Sequence, residues 1–296
     1  MLKINKFSMG LLAVFLSVGI LSGCGTSKEE TSNASPGASN AVSAAPSSDS
    51  GSPSAEAAAS NEPKETVELT VSAAASLTDA LKDIEADFEQ QNPNIKLSFN
   101  FGGSGTLQQQ IEQGAPADLF LSASAKNMQA LVDKGLVDTT HEVNLLNNTL
   151  VVVTPPEQAA VQTLDDLAKA EVKTVGIGIP ESVPAGNYAK EALTSAKLWD
   201  SLQSKTVQGK DVKQVLQYVE TGNADAGFVY QTDALTTDKV KVAFTVDSSL
   251  YSPIQYPIGV VKATKHSSEA EAFYSYLQSE AALNVFKTYG FTIPGK

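Results

Sequence analysis

The chain has 296 residues, a formal net charge of −12, one cysteine and no arginine. A single cysteine excludes an internal disulfide and a metal site made of several cysteines. The acidic balance and the lack of a basic patch argue against nucleic acid as a partner. Any anion that this protein binds must therefore be held without the guanidinium fork that commonly recognises carboxylate and phosphate.

The first predicted element is a secretion signal that ends at a lipid-attachment site. Two lysines precede an apolar run over 9–21, which is short for a membrane span and typical of a signal peptide. The run ends in Leu21-Ser-Gly-Cys24, which resembles the lipobox of bacterial lipoproteins. In that family the peptide is cut before the cysteine, which is then acylated. We predict a signal peptide over 1–23 and a lipid anchor at Cys24; the alternative is a buried free cysteine.

A polar linker follows the predicted anchor. Residues 25–64 consist mainly of Ser, Ala, Glu, Pro, Gly and Asn, with almost no large apolar side chain. Such a segment buries too little apolar surface to offset its chain entropy, so we predict that 24–65 is a disordered, lipid-anchored linker. The remaining 66–296 is long for one compact core and predicts two lobes.

The first part of the predicted folded body alternates strands with helices. The predicted elements are strands at 67–71, 95–101 and 118–122 and helices at 77–88, 107–114 and 125–134. The first helix has apolar residues at helical spacing, and Ser76 with Asp79 has the pattern of an N-cap and capping box. This alternation predicts parallel βαβ units.

A second set of the same kind begins at Leu150. Its predicted elements are strands at 150–153, 174–179 and 226–230 and helices at 163–170, 185–196 and 211–221; the tail of the chain then adds strands at 240–246 and 258–261 and a helix at 269–289. We predict that the chain crosses between lobes near Asn147 and again near Tyr230. The predicted bounds are 66–146 plus 231–296 for the first lobe and 147–230 for the second. Such lobes would enclose a cleft beyond the carboxyl ends of their strands, where helix N-termini point.

The sequence shows no pattern typical of an enzyme active site. It contains no H-E-x-x-H, P-loop or G-x-S-x-G motif, and His141 and His266 lie far apart in polar surroundings. What recurs is a turn of small residues ahead of a helix, which leaves backbone N–H donors and a partial positive charge. These turns lie at Ser76, at Gly102–Gly105, at Pro184–Gly186 and at Asp211-Val212. Ordinary helix capping is the alternative for any one of them.

Several segments together resemble the molybdate-binding proteins of bacterial ABC importers. They are Ala73-Ala-Ala-Ser-Leu-Thr-Asp-Ala80, Gly114-Ala-Pro-Ala-Asp-Leu-Phe120, Val183–Ala192, Gly227-Phe-Val-Tyr-Gln-Thr-Asp-Ala234, Tyr256-Pro-Ile258, Phe273–Leu277 and Tyr289–Ile293. The resemblance covers nearly all of 66–296. It implies the type II periplasmic-binding-protein fold, with two α/β lobes joined by a hinge around a central ligand cleft.

The resemblance also implies a set of uncharged donors to molybdate or tungstate. Their positions here are Ser76 and Ser104, each through its hydroxyl and N–H, Ala185 and Val212 through their N–H groups, and Tyr230 through its phenol. No cofactor and no catalytic residue is expected. Relatives often carry serines where this chain has glycines around Ser104. We expect those glycines to let the backbone approach the ligand closely.

The resemblance further implies how the protein works in the cell. It predicts an extracytoplasmic monomer, held at the membrane through the Cys24 lipid, that delivers the oxyanion to an ABC permease and its ATPase. One alternative keeps the fold and changes the ligand to sulfate, phosphate, ferric ion or an organic acid. Others are a lipid-anchored serine hydrolase and an adhesive lipoprotein.

Overall fold

A computed structural model describes residues 65–158 and 161–295. The predicted signal peptide, Cys24 and all but the last residue of the predicted linker lie outside the described residues. The described residues fall within one compact unit, Asn61–Lys296. In this part of the chain no helix is both long enough and apolar enough to span a membrane.

Ten strands form two five-stranded sheets in the described residues. The strands are β1 (Val67–Ala74), β2 (Ile95–Gly102), β3 (Leu119–Leu121), β4 (Val137–Asn147), β5 (Leu150–Thr154), β6 (Val175–Gly178), β7 (Thr206–Gly209), β8 (Ala226–Tyr230), β9 (Lys241–Thr245) and β10 (Gln255–Val261). The first sheet has the order β2-β1-β3-β10-β4 and the second has the order β7-β6-β8-β5-β9. In each sheet three neighbouring strands run parallel, and the strands added beside them pair antiparallel.

Helices cover these sheets and supply the turns that face the cleft. They are α1 (Thr78–Gln91), α2 (Ser104–Glu112), α3 (Ala125–Asp133), α4 (Pro184–Ser195), α5 (Trp199–Leu202), α6 (Val212–Glu220), α7 (Gln231–Ala234), α8 (Ser267–Leu277) and α9 (Glu280–Thr288). The apolar positions predicted for α1 are buried, and Phe88 packs against Phe273 of α8 with ring centroids 4.9 Å apart. In α6 the buried residues Val212, Val215 and Val219 recur at helical spacing, which fixes the face that the helix turns to the second sheet.

The structure confirms the two-lobed α/β architecture and corrects one of the predicted lobe bounds. The chain passes from the first sheet to the second between Asn147 and Leu150. It returns only after β9, because β9 pairs with β5 in the second sheet. The prediction that the chain returns near Tyr230 is therefore wrong. The alternating pattern of β9 identifies a strand, but nothing local states which sheet an edge strand joins.

Other predicted elements also differ in the structure. The helix predicted at 163–170 is only a 3₁₀ turn, Asp165–Ala168. The helix predicted at 269–289 is two helices, because the Ser279 hydroxyl accepts the N–H of Ala282 and starts α9 anew. β4 and β7 were not predicted, and the sheets are mixed rather than purely parallel.

Candidate functional site

A small cavity lies where the two lobes meet. It is lined by Ala74, Ala75, Ser76, Gly102, Gly103, Ser104, Ala123, Val183, Pro184, Ala185, Val212 and Tyr230. Its volume is about 10 Å³, whereas four surface grooves measure about 380–720 Å³. The structure brings all of the sequence-predicted ligand positions to this one cavity. Its size suits a small ion rather than an extended organic substrate.

Ser76 reaches the cavity from the end of β1. It lies in a 3₁₀ turn, Ala75–Leu77, that separates the strand from α1, and its side chain makes no capping hydrogen bond. The prediction of an N-cap and capping box at Ser76 is therefore wrong, because the extra turn moves the helix start to Thr78. Instead, the Ser76 hydroxyl forms a 2.9 Å hydrogen bond with the Tyr256 hydroxyl.

Ser104 is the first residue of α2 and is fully buried. Its Oγ accepts the backbone N–H of Ala123 at 2.9 Å. Since a backbone N–H only donates, the serine oxygen must accept this bond, which leaves the hydroxyl hydrogen available elsewhere. The Ser104 N–H lies in the first turn of a helix and has no partner within that helix. Ser104 therefore has two donors to offer at the cavity wall.

The second lobe contributes two helix N-termini. Ala185 follows Pro184 at the start of α4, a position where proline is well tolerated because its missing N–H would have no partner anyway. Val212 starts α6 after Asp211, whose carboxylate accepts the N–H of Gln214 at 2.8 Å. The N–H groups of Ala185 and Val212 thus remain outside the helical hydrogen-bond ladders, in the region of partial positive charge.

Tyr230 completes the wall at the end of β8. Its side chain is 1% exposed, and its hydroxyl has no hydrogen-bond partner among the described residues. Burial raises the pKa of this phenol well above its ordinary value, so the group keeps its proton. An unpaired buried hydroxyl costs roughly 1–3 kcal/mol. The Tyr230 hydroxyl is therefore available to donate a hydrogen bond to a ligand in the cavity.

No charged side chain lines the cavity, but charged residues lie just behind it. Lys213, next to Val212, forms an ion pair with Asp79 of the first lobe. Asp233 is 1% exposed and its Oδ2 accepts the N–H of Tyr230 at 3.1 Å. Burial raises the pKa of Asp233 to about 7. Within the described ranges, no group of side chains has the composition of a metal-binding cluster.

Glycines at the start of α2, Gly103 just before it and Gly105 within it, allow the lobes to touch beside the cavity. The N–H of Gly105 donates to the carbonyl oxygen of Ser182 at 2.9 Å, and the Tyr188 hydroxyl donates to the carbonyl oxygen of Ala123 at 3.3 Å. A Cβ atom on Gly103 would lie 2.8 Å from the Ser182 oxygen. The sequence led us to expect that these glycines would bring the backbone close to a ligand. The structure shows that Gly103 and Gly105 bring one lobe close to the other.

Two polar residues next to the site were missed by the sequence reasoning. Tyr256, on β10, contacts Ser76, and Asn148, at the crossing between the sheets, donates to Tyr256 at 3.2 Å. No local sequence pattern marks Asn148 as part of the site, because only the fold brings it to Tyr256. Tyr256 stands within a segment that carries the family resemblance, Tyr256-Pro-Ile258, which was its one available signal.

Residues 69–292 match the family model of the bacterial extracellular solute-binding proteins. The match spans most of the chain, and this protein belongs to that family. It is 48% identical over 234 residues to the Bacillus subtilis protein YvgL, described as a candidate ABC transporter substrate-binding lipoprotein; the alignment covers 79% of this chain and 89% of the relative.

Two further relatives are named for the anion that they bind. The chain is 41% identical over 244 residues to the molybdate-binding protein ModA of Escherichia coli, covering 80% of this chain and 93% of the relative. Its fold matches the periplasmic molybdate-binding protein of Azotobacter vinelandii with a TM-score of 0.70 at 25% identity, covering 76% and 99% of the two chains. The predicted family and fold class are confirmed.

Proposed function

We propose that this protein captures molybdate, and also tungstate, outside the cytoplasm and delivers it to the permease and ATPase of an ABC importer. The observation that carries the proposal is the cavity itself, which both lobes line with uncharged donors and no charged side chain. The 41% identical Escherichia coli relative is named for molybdate binding.

The donor set matches the chemistry of a fully ionised tetrahedral oxyanion. Such an anion offers only acceptors, and each proposed ligand can donate through an N–H or an O–H group: Ser76, Ser104, Ala185, Val212 and Tyr230. A hydrogen bond to a charged group is worth about 1.5–3 kcal/mol, and helix N-termini add a favourable field. Because donors come from both lobes, the anion favours the closed arrangement.

The same donor set should reject phosphate. At neutral pH phosphate still carries at least one proton, which needs an acceptor in a dry site. In the proposed shell that proton would face donors, at a cost of roughly 1–3 kcal/mol. Sulfate carries no such proton, but its oxygens lie closer to its centre than those of molybdate. If the N–H groups are spaced for the larger molybdate, several of their hydrogen bonds to sulfate would be stretched at the same time.

Calorimetry with molybdate, tungstate, sulfate and phosphate tests the proposal. We expect molybdate and tungstate to bind tightly, sulfate weakly and phosphate most weakly. Phosphate binding as tight as that of molybdate would mean that an acceptor faces the cavity, and the assigned donor set would then be wrong. No binding of any of the four anions would refute the function itself.

The proposal includes a lipid anchor, a monomeric state and no catalysis. The anchor is supported by the Cys24 motif and by the lipoprotein description of the Bacillus subtilis relative. A serine hydrolase would need a base beside Ser76 or Ser104. His141 instead contacts Glu271 at 3.2 Å, and neither histidine lines the cavity. A turnover assay with chromogenic esters should therefore give no signal above background.

A further inference from the structure

Tyr256 connects the crossing between the lobes to the cavity wall. Its side chain is 1% exposed, and its hydroxyl lies 2.9 Å from the Ser76 Oγ and 3.2 Å from the Asn148 Nδ2. Burial raises the pKa of this phenol well above its ordinary value, so it keeps its hydrogen at any working pH. The hydrogen can point towards Ser76 or away from it, and the neighbours decide which.

The orientation of Asn148 is fixed by a group that only donates. Its Oδ1 accepts the backbone N–H of Thr149 at 2.8 Å, so this oxygen must face Thr149. Its Nδ2 then faces two oxygens, Thr232 Oγ1 at 2.9 Å and the Tyr256 hydroxyl at 3.2 Å. The amide thus donates to the Tyr256 oxygen and cannot accept the hydrogen of that phenol.

The direction of the next hydrogen bond follows. Either hydroxyl could donate in the Ser76–Tyr256 pair, but Asn148 offers Tyr256 only a donor, so Ser76 Oγ is the acceptor that the described contacts give to the Tyr256 hydrogen. One lone pair of the Ser76 oxygen is then taken by the Tyr256 hydrogen, so the single Ser76 hydrogen turns away from Tyr256 and is available to the cavity. Ser104 reaches the same state by a different route, through the N–H of Ala123. Both serine hydroxyls are therefore held as donors before any ligand arrives.

We propose that Tyr256, oriented by Asn148, is a specificity-determining residue that fixes the Ser76 hydroxyl as a donor to the bound anion. An anion that carries its own proton then meets no acceptor at Ser76. This inference rests on the proposed function, because it concerns which oxyanions the same cavity refuses. It assigns the refusal to a residue that need not touch the ligand.

The test is the ratio of sulfate affinity to phosphate affinity, measured by calorimetry in the wild type and in Tyr256→Phe. The two anions are similar in shape and differ in protonation at neutral pH. Without the phenol, the Ser76 hydroxyl is free to turn and accept the phosphate hydrogen. We expect the sulfate-to-phosphate ratio to fall by about 5- to 150-fold, the range for relieving one unsatisfied buried polar group. A general loss of structure would lower both affinities and leave the ratio unchanged.

Two controls separate a role through Ser76 from a loss of packing. Tyr251→Phe removes a phenol that accepts the N–H of Leu150 at 3.3 Å near the same crossing and does not line the cavity. That variant should keep the wild-type ratio. In a Ser76→Ala background, adding Tyr256→Phe should change the ratio by less than about twofold, because the hydroxyl that Tyr256 orients is gone.

The outcomes distinguish this inference from the proposed function. A wild type that binds none of the oxyanions overturns both. A wild type that prefers sulfate to phosphate, together with an unchanged ratio in Tyr256→Phe, overturns only the role of Tyr256. Neutron diffraction on the wild type tests the geometry even if the variant does not fold. We expect the Tyr256 deuterium to point at Ser76 Oγ, and any other direction overturns the inference.

Discussion

Replacing Gly105 with alanine should weaken anion binding without weakening the ligand-free protein. Gly105 is the second residue of α2, and its N–H donates to the Ser182 carbonyl oxygen across the cleft at 2.9 Å. A Cβ at this position would lie 2.9 Å from both the Cα and the oxygen of Ser182. These are backbone atoms, so no side-chain rotation relieves the overlap. The added methyl group therefore opposes contact between the lobes.

The expected loss of molybdate affinity follows from how the substitution changes the free energies of the closed and the open arrangement of the lobes. Loss of the cross-lobe hydrogen bond costs about 0.5–1.5 kcal/mol, and forcing a methyl group into a packed contact costs about 1–3 kcal/mol. The overlap is the larger of these two costs and sets the expected loss at about 1–3 kcal/mol, which is roughly a 5- to 150-fold loss of molybdate affinity. With the lobes apart the three atoms nearest to the added methyl group, all of Ser182, are withdrawn from it. Alanine also stabilises a helix by up to about 1 kcal/mol relative to glycine.

Calorimetry and thermal unfolding together check this prediction. The molybdate dissociation constant should rise in Gly105→Ala, while the melting temperature without ligand stays equal or increases. Thr106→Ala is the matched control, because Thr106 is exposed in the same helical turn and makes no cross-lobe hydrogen bond. Wild-type affinity in Gly105→Ala would refute the reasoning. So would a loss of ligand-free stability that matches the loss of affinity.

Other predictions concern single groups. Tyr230→Phe should weaken molybdate binding by about 1.5–3 kcal/mol in calorimetry without lowering the ligand-free melting temperature, because the lost hydroxyl has no partner to leave behind. Asp233 has its pKa raised to about 7 by burial. Between about pH 4 and pH 7 the unfolded chain therefore loses this proton while the folded protein keeps it, so stability falls as pH rises through that window. Denaturant unfolding of Asp233→Asn should show a smaller fall, and an unchanged slope would contradict this assignment. Cys24→Ser should abolish partitioning into detergent; continued fractionation with membranes would disprove the lipid anchor.

Part of the candidate site could be predicted from the sequence because its helix starts follow short local patterns, whereas the ligand roles of its residues were implied by the family resemblance. The first N–H groups of any helix lack partners within that helix, wherever the fold places it. The backbone donors of Ser104, Ala185 and Val212 therefore follow from the position of each residue in the first turn of a helix. The structure brings all three residues to the same cavity.

What could not be predicted depends on contacts between distant parts of the chain. Asn148 and Tyr256 are 108 positions apart, and they meet only because β10 lies between β3 and β4 in the first sheet. The role of Gly105 depends on the carbonyl oxygen of Ser182 in the other lobe. The sheet that β9 joins depends on pairing with β5, and strand patterns do not encode partners.

The division of the cavity wall between the lobes also bears on release. Ser76 and Ser104 belong to the first lobe, whereas Ala185, Val212 and Tyr230 belong to the second. A transporter that separates the lobes would split this donor set in two, and the anion would keep only part of its hydrogen bonds on either side. No lysine or arginine lines the cavity to hold the anion back by charge. A modest mechanical opening would then turn a tight binding site into a weak one, and unloading would require no competing anion.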